Sequence, residues 1–347
     1  MNPEKDREPH PAVVAVFGAA GHTGRFVVSE LLRRGIMPIA IARSSAALAE
    51  ANLSSSRILR RQATVDDEES LDKAFAGAHA VINCAGPFLE TADPVAAAAI
   101  RAGIHYLDLS AEQPSTLAVL DKYDDAARKG GIAVVPAMGF YGGFADLLAT
   151  AALGDWDHAD TIDIMIGLDS WHPTRGTRIT GEKNIARRQV ITEGRLVPLT
   201  LPAAERLWEF ADPLGSQAMV ELPFSEIVLI ARHVRAAELH TYLNRIALGD
   251  VRNPATPAPK AADATGRSAQ RFIVDVVAQR EGMSRRIRAQ GRDIYAFSAP
   301  LICEGAARLL EGRFGSAGAQ PPGAIFDAQE ILSALTPEHL TLEMTAA

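Results

Sequence analysis

Apolar and polar positions change rhythm near the middle of the chain. Ala12 to Phe17 is an unbroken apolar run closed by Gly18, the pattern of a strand buried on both faces of a parallel sheet. Phe26, Val27, Leu31 and Leu32 follow at helical spacing within Arg25 to Arg34, and Gly35 stops that helix. Apolar runs at Pro38–Ala42, Ala80–Cys84, Tyr106–Leu109 and Ile132–Val135 predict further strands. Between them the pattern predicts helices over Asp67–Ala76, Asp93–Ala102 and Ser115–Lys129. Strand and helix alternating at this spacing predict an α/β architecture, a Rossmann-type doubly wound parallel sheet with right-handed crossovers.

After about Gly154 the rhythm shortens. Thr161 to Leu168 alternates with period two, which predicts a strand with one wet face. Arg271–Gln279 and Arg285–Gln290 flank Arg280-Glu-Gly-Met-Ser284, a β-hairpin with Gly282 in its turn. Glu238 to Ile246 reads as a strand or a helix. Together these segments predict a second, α+β domain on a mixed or antiparallel sheet. Gly249 to Gln270 is too long for an ordinary connection and reads as a mobile lid or a surface meander. Ser298–Leu310 and Asp327–Leu335 are predicted helices. The expected organisation is a disordered tail over 1–11, a dinucleotide-binding domain over 12–153, a substrate and dimerisation domain over 154–293, and C-terminal helices over 294–347 that return to the first domain.

The chain has 347 residues, enough for two domains, and 48% of them are hydrophobic against 22% charged. A net charge of -7 argues against tracking a phosphate backbone, so no nucleic-acid partner is expected. Cys84 and Cys303 stand in no Cys-x-x-Cys or Cys/His cluster, so neither a disulfide framework nor a metal site is expected. Met1 to His10 lacks the apolar core of a signal peptide, and no apolar run approaches the ~18 residues of a membrane span. A soluble, cytoplasmic protein is the expectation.

The chemistry begins at Gly18-Ala-Ala20-Gly21-His22-Thr23-Gly24, between the first strand and the first helix. Gly18 permits a tight turn, Gly21 lets the backbone approach a pyrophosphate, and Gly24 allows close helix–sheet packing. The pyrophosphate would then lie on free N–H groups at the positive end of the helix. The second strand ends in Ile41-Ala42-Arg43-Ser44, where a site for NAD usually carries a carboxylate. The Arg43 guanidinium can pair with a 2′-phosphate and the Ser44 hydroxyl can add a bond, so NADP is the expected cofactor. The plainer alternative for Arg43 is a solvated loop arginine.

Three further stretches follow in order: Asn83-Cys-Ala-Gly-Pro-Phe88, Tyr106-Leu-Asp-Leu-Ser-Ala-Glu112 and Pro136-Ala-Met-Gly-Phe-Tyr-Gly-Gly-Phe-Ala-Asp146. With the glycine turn they resemble the saccharopine dehydrogenase-like oxidoreductases, the group of saccharopine reductases and trans-acting enoyl reductases. The resemblance covers roughly the first 150 residues well and is looser beyond. Ala111 stands where the family typically has glycine. The resemblance implies a second domain that covers the nicotinamide and binds substrate. It also implies that Cys84, Ala85, Gly86 and Pro87 line the nicotinamide ribose and that Asp108 to Ser110 face the ring edge.

Reduction by a nicotinamide also needs a proton. None of Tyr106, Tyr123, Tyr141, Tyr242 and Tyr295 has a lysine four residues on, which excludes the usual short-chain dehydrogenase pair. Tyr141, among glycines in a loop after a parallel strand, is the leading candidate for proton donor or ring-orienting group; the alternative is an aromatic anchor closing the domain interface. Asp108 is the second candidate, against the alternative of a turn or helix cap. Arg175, Arg178 and Lys183, in a threonine-rich segment, are candidates to clamp a substrate carboxylate or phosphate, against a solvated basic loop. The expected activity is NADPH-dependent reduction of a C=N or activated C=C bond in a small molecule by a homodimer. The alternatives are a non-catalytic NADPH-binding regulator and a synthase that recycles NADP within one turnover.

Overall fold

The computed structural model describes residues 12–51, 53 and 55–346; the expected tail over 1–11 lies outside them. The first half runs β1 (Val13–Phe17), α1 (His22–Arg33), β2 (Met37–Ala42), α2 (Ser45–Glu50), β3 (Leu59–Gln62), α3 (Glu68–Phe75), β4 (Ala80–Asn83), α4 (Phe88–Ala102), β5 (His105–Asp108), α5 (Gln113–Gly130) and β6 (Ala133–Val135). A kinked turn, Phe140–Phe144, leads into α6 (Ala145–Leu153). Next come β7 (His158–Leu168), α7 (Arg175–Lys183), β8 (Gln189–Thr192), β9 (Arg195–Pro198), β10 (Glu205–Glu209), β11 (Ser216–Glu221), α8 (Ser225–Ile230), β12 (Arg235–Asn244) and α9 (Arg245–Arg252). The chain closes with β13 (Arg271–Arg280), β14 (Met283–Arg292), α10 (Ile294–Leu310), β15 (Gly318–Ala319), α11 (Pro322–Ile325), α12 (Ala328–Ala334) and β16 (Leu340–Ala346).

The first sheet has the order β15-β6-β5-β4-β1-β2-β3 and is parallel throughout. Its central strands are buried on both faces, as their unbroken apolar runs require. Strand order reverses between β1 and β4, so a crevice opens at their carboxyl ends, the place where open α/β sheets take ligands. β3 was not foreseen: Leu-Arg-Arg-Gln is mostly exposed at the sheet edge, where pairing to β2 rather than an apolar pattern makes the strand. α1 and α4 both start earlier than their apolar spacing predicts. Gly24 lies inside α1, and Pro94, the second residue of the predicted helix, lies well inside α4.

The second sheet is mixed, ordered β10-β11-β12-β7-β13-β14-β16, with β7 and β12 parallel and the β8–β9 hairpin attached to β12. The β13–β14 hairpin turns at Glu281 and Gly282, with φ of 51° and 81°, the positive values a two-residue hairpin turn needs. One open reading is decided and one expectation is corrected. Glu238–Ile246 is strand up to Asn244, inside β12. β7 lacks a wet face beyond Asp163, because Met165 packs with Phe210, Met219, Tyr242 and Ile273 on the side away from the first sheet. The C-terminal segment does return, with α10 packing on α1 and β15 joining the first sheet, but β16 closes the edge of the second sheet instead.

One apolar core runs through both halves. Phe140 and Phe144 from the turn after β6 meet Phe272 of β13 and Phe297 of α10, with ring centroids 4.6 to 6.3 Å apart. Residues 253–270 form a surface meander, pinned where Arg178 donates to Asn253 and Thr256 carbonyls and where the Asp293 carboxylate accepts from Ser268 N–H. Among the described residues no helix is long and apolar enough to cross a membrane.

Candidate active site

The glycine turn folds for the reasons its residues give. Gly18 has φ of 82°, and a Cβ there would stand 2.9 Å from the Ala85 Cβ. At Gly24 a Cβ would stand 2.3 Å from the Gly18 carbonyl oxygen, so the first turn of α1 lies directly against the loop. Gly21 is the N-cap and, having no side chain, caps nothing. By contrast Ser44, Asp67 and Thr174 each cap their own helix through a side-chain oxygen. The uncapped positive end of α1 at the β1/β4 crevice is therefore open to an anion. Ala20, His22 and Thr23 complete this turn, all half-buried.

His22 points from the turn between Phe26 and Tyr295, edge-on to both at 5.3 and 5.5 Å. Its Nε2 is buried with no hydrogen-bond partner, and burial lowers its pKa, so the imidazole is neutral at physiological pH. Arg43 is exposed at the carboxyl end of β2, beside the turn, whose Gly18 and Ala19 N–H groups donate to the Ile41 carbonyl. Ser44 Oγ accepts from Ala47 N–H and keeps its own proton free to donate.

On the other side of the crevice, the loop Cys84-Ala85-Gly86-Pro87 is shaped by Asn83 and Thr91. Asn83 Oδ1 accepts from Ala85 N–H, and Thr91 donates to the Ala85 carbonyl. Burial pushes the Cys84 thiol far up, which keeps it inert near neutrality.

Asp108 is wholly buried and takes the Tyr106 hydroxyl at 2.7 Å, Ser110 N–H at 2.8 Å and Ala137 N–H at 2.7 Å. Burial raises its pKa, against those three donors. The expectation of a proton donor at Asp108 is corrected on this geometry: the carboxyl ties the end of β5 to the loop after β6 and shows no face to a ligand. Ser110 is also fully buried and accepts from Glu112 N–H. The Glu112 carboxylate in turn accepts from Phe88 and Leu89 N–H, capping α4.

Tyr141 fares differently. Its ring stacks on Trp171 at 5.0 Å and on Phe224 at 4.3 Å, both from the second half of the chain. Its hydroxyl is buried and has no partner, and burial raises its pKa well above 10, so it keeps its proton. The anchor and donor readings are thus compatible: the ring closes the interface while the hydroxyl remains uncommitted.

The basic segment is α7, capped by Thr174, and it lies against the loop after β4. A Cβ on Gly86 would stand 2.9 Å from Thr180 Oγ1, and Lys183 pairs with Glu90 of α4. Thr177 Oγ1 and Trp171 Nε1 both lie 2.9 Å from the Tyr295 hydroxyl. The expected clamp is corrected in part, since Arg178 is spent on two backbone carbonyls and Lys183 on Glu90. Arg175 is exposed on the first turn.

Sequence reading missed Arg188, Phe224, Glu226 and Tyr295. Glu226 carried a signal, a carboxylate inside the apolar run Leu222 to Ile230; it is fully buried, with Oε2 unpartnered. A cleft of about 360 Å³ opens beside Tyr295, between Asp169–His172 and residues 259–270. A larger one of about 790 Å³ lies between the amino ends of β7 and β12 and the β8–β9 turn, and no residue of the glycine turn lines it.

Comparison with known proteins agrees with this geometry. Residues 14–135 match the family model "Saccharopine dehydrogenase NADP binding domain". A probable mitochondrial saccharopine dehydrogenase-like oxidoreductase of Arabidopsis thaliana is 31% identical over 155 residues, 40% of this chain and 34% of that protein. The saccharopine dehydrogenase-like oxidoreductase of Homo sapiens is 30% identical over 159 residues, 40% and 37% of the two chains. A lipid droplet localized protein of Caenorhabditis elegans is 25% identical over 270 residues, 66% and 63%. The chain thus matches about a third of the length of the first two and under two thirds of the third. In fold, the L-glutamate-forming saccharopine dehydrogenase of Saccharomyces cerevisiae superposes with a TM-score of 0.68 at 12% identity, over 96% of this chain and 100% of the other. Residues 14–135 are thus similar to saccharopine dehydrogenase NADP-binding domains, and the whole chain shares its fold with a saccharopine dehydrogenase.

Proposed function

We propose that this protein is an NADPH-dependent reductase that acts on a C=N or activated C=C bond of a small organic molecule, with Tyr141 as proton donor. The observation that carries the reading is the Tyr141 hydroxyl: buried, protonated and without a partner, on a ring stacked against Trp171, whose indole bonds the Tyr295 hydroxyl beside His22 of the glycine turn.

The residues present fit NADP. The uncapped first turn of α1 and the glycine cradle would hold the pyrophosphate, His22 Nε2 is an unspent polar atom beside it, and Arg43 with Ser44 would take the 2′-phosphate. Bound NADPH supplies the hydride. The chain's own part is to orient and to deliver one proton. The Cys84–Pro87 loop forms one wall, and Thr180 of α7 comes close against it at Gly86. Trp171 and Phe224 fix the Tyr141 ring so that its hydroxyl proton passes to the atom left with the electron pair. Water entering as product leaves restores that proton.

Tyr141→Phe tests this on a panel of cyclic imines, oxo acids with amines, and conjugated enones, followed by loss of reduced-nicotinamide absorbance. The expected outcome is a kcat lower by about 10²-fold or more with unchanged NADPH affinity, since the phenylalanine keeps the stack. Undiminished turnover removes Tyr141 from the chemistry. A protein that binds NADPH tightly and turns over nothing is instead the regulator considered above, and net product without NADPH consumption marks the recycling synthase. The homodimer remains part of the proposal, supported by the general prevalence of two-fold assemblies and checked by light scattering.

A further inference from the structure

We propose that Arg188 is the substrate's anion anchor, and that the molecule reduced here carries a carboxylate two stacking layers from Tyr141. The proposal rests on the reductase reading for its placement and extends it to a substrate class.

Charge pairing sets Arg188 apart from the arginines of the ion-pair networks: Arg34 has Glu30 and Glu304, Arg308 has Glu304 and Glu330, and Arg288 has Asp275. Arg61, Arg178 and Arg267 are also half-buried without a carboxylate, but among the described residues Arg188 alone of these four lies against an aromatic ring, that of Phe224. Arg188 is half-buried, and among the described residues no carboxylate oxygen lies within 4.0 Å of its guanidinium. Its one hydrogen bond runs from Nη1 to the Pro223 carbonyl. Glu226 acts on its charge from nearby but forms no ion pair with it, so a ligand that brings a directly paired carboxylate lowers the cost of withdrawing the guanidinium from water.

The position is set from both sides. The next residue, Gln189, exchanges hydrogen bonds with the Gln113 side chain at 2.8 and 2.9 Å, and Gln113 also donates to the Phe224 carbonyl. The guanidinium lies 4.8 Å from the Phe224 ring, and Phe224 lies 4.3 Å from Tyr141. Arg188, Phe224, Tyr141 and Trp171 thus form one layered stack. A guanidinium resting on a ring keeps its N–H donors in its own plane, and with Nη1 engaged the Nε–Nη2 edge is the one left for a bidentate carboxylate. The nearby buried Glu226 favours a singly charged ligand over a doubly charged phosphate. Arg178 and Lys183, the other candidates for this task, are already paired.

The test is calorimetric titration of the NADP-loaded protein with sodium cinnamate and with neutral cinnamamide. Both are flat and differ in the group Arg188 would hold. The wild type is expected to bind cinnamate at least tenfold more tightly. Arg188→Met should abolish that preference while leaving NADPH affinity unchanged. Arg188→Lys, which keeps the charge but lacks the bidentate edge, should weaken cinnamate at least threefold without affecting cinnamamide, and it decides the matter if the methionine variant loses NADPH. A wild type with no preference for cinnamate, or a preference that survives both substitutions, overturns the proposal. These are binding measurements, so an absence of turnover on every substrate would count against the reductase reading alone.

Discussion

Two side chains that look alike in sequence part company by their hydrogen bonds. Asp108 ends β5 and Tyr141 lies in the turn after β6, and both polar groups are buried, but Asp108 receives three donors and the Tyr141 hydroxyl none. Asp108→Asn offers one acceptor oxygen where two served three bonds. It should cost about 1–3 kcal/mol of stability in a denaturant melt, with turnover per folded molecule within threefold of wild type. A selective collapse of kcat would restore Asp108 to the chemistry. Arg43 has the opposite character: exposed and without structural work, it is free to serve the cofactor. Charge-assisted bonds to a 2′-phosphate are worth about 1.5–3 kcal/mol, so Arg43→Ala should weaken NADPH roughly 10- to 100-fold and NADH hardly at all. Equal losses for both, measured by fluorescence titration, would remove Arg43 from the 2′-phosphate site.

Among the elements, α7 joins the two halves at the loop after β4, and its seat depends on the missing side chain at Gly86. A Cβ there would meet Thr180 Oγ1 at 2.9 Å, so Gly86→Ala must turn the Thr180 side chain, push α7 outward or shift the loop. We expect Gly86→Ala to raise KM for NADPH several-fold with a modest change in melting temperature. Thr180→Ala, which removes the opposing oxygen, should restore much of the loss in the double variant, a coupling that a double-mutant cycle reads directly. Additive effects would mean that α7 does not rest on this loop in solution. The same element marks the limit of what the sequence discloses. The strand–helix alternation, the glycine turn and the β13–β14 hairpin were legible because apolar period and turn chemistry are local. The pairing of Lys183 with Glu90 and of Arg178 with Asn253 and Thr256 was not, since it depends on where distant segments come to rest. Phe224 and Arg188 stayed hidden for the same reason: each looks ordinary until it is stacked on its neighbour.

At the scale of the whole molecule, a single core passes from the first sheet through α6 and α10 into the second, so the two halves are expected to melt together. A polar fastening reinforces that junction. Asp146 of α6, fully buried, accepts from Gly323 N–H at 2.7 Å and contacts His233 Nε2, just after α8, at 2.7 Å. Burial alone would lower the His233 pKa, but the charge and hydrogen bond of Asp146 outweigh it and hold the value above the ordinary 6.5. Because the folded value exceeds the unfolded one, the contribution is complete below pH 6.5 and is lost as pH rises through the raised value. His240, raised by Glu221 and Glu238 despite its partial burial, works with the same sign. His22, His105 and His339 are lowered by burial and work with the opposite sign, so the overall profile mixes both. The difference between wild type and His233→Gln removes the terms they share. That difference in melting temperature should favour the wild type more at pH 6 than at pH 9, by on the order of 1–3 °C for a chain of this size. A difference that is flat or grows toward pH 9 would mean that the imidazole is neutral in the fold, and that the fastening is an ordinary hydrogen bond rather than an ion pair.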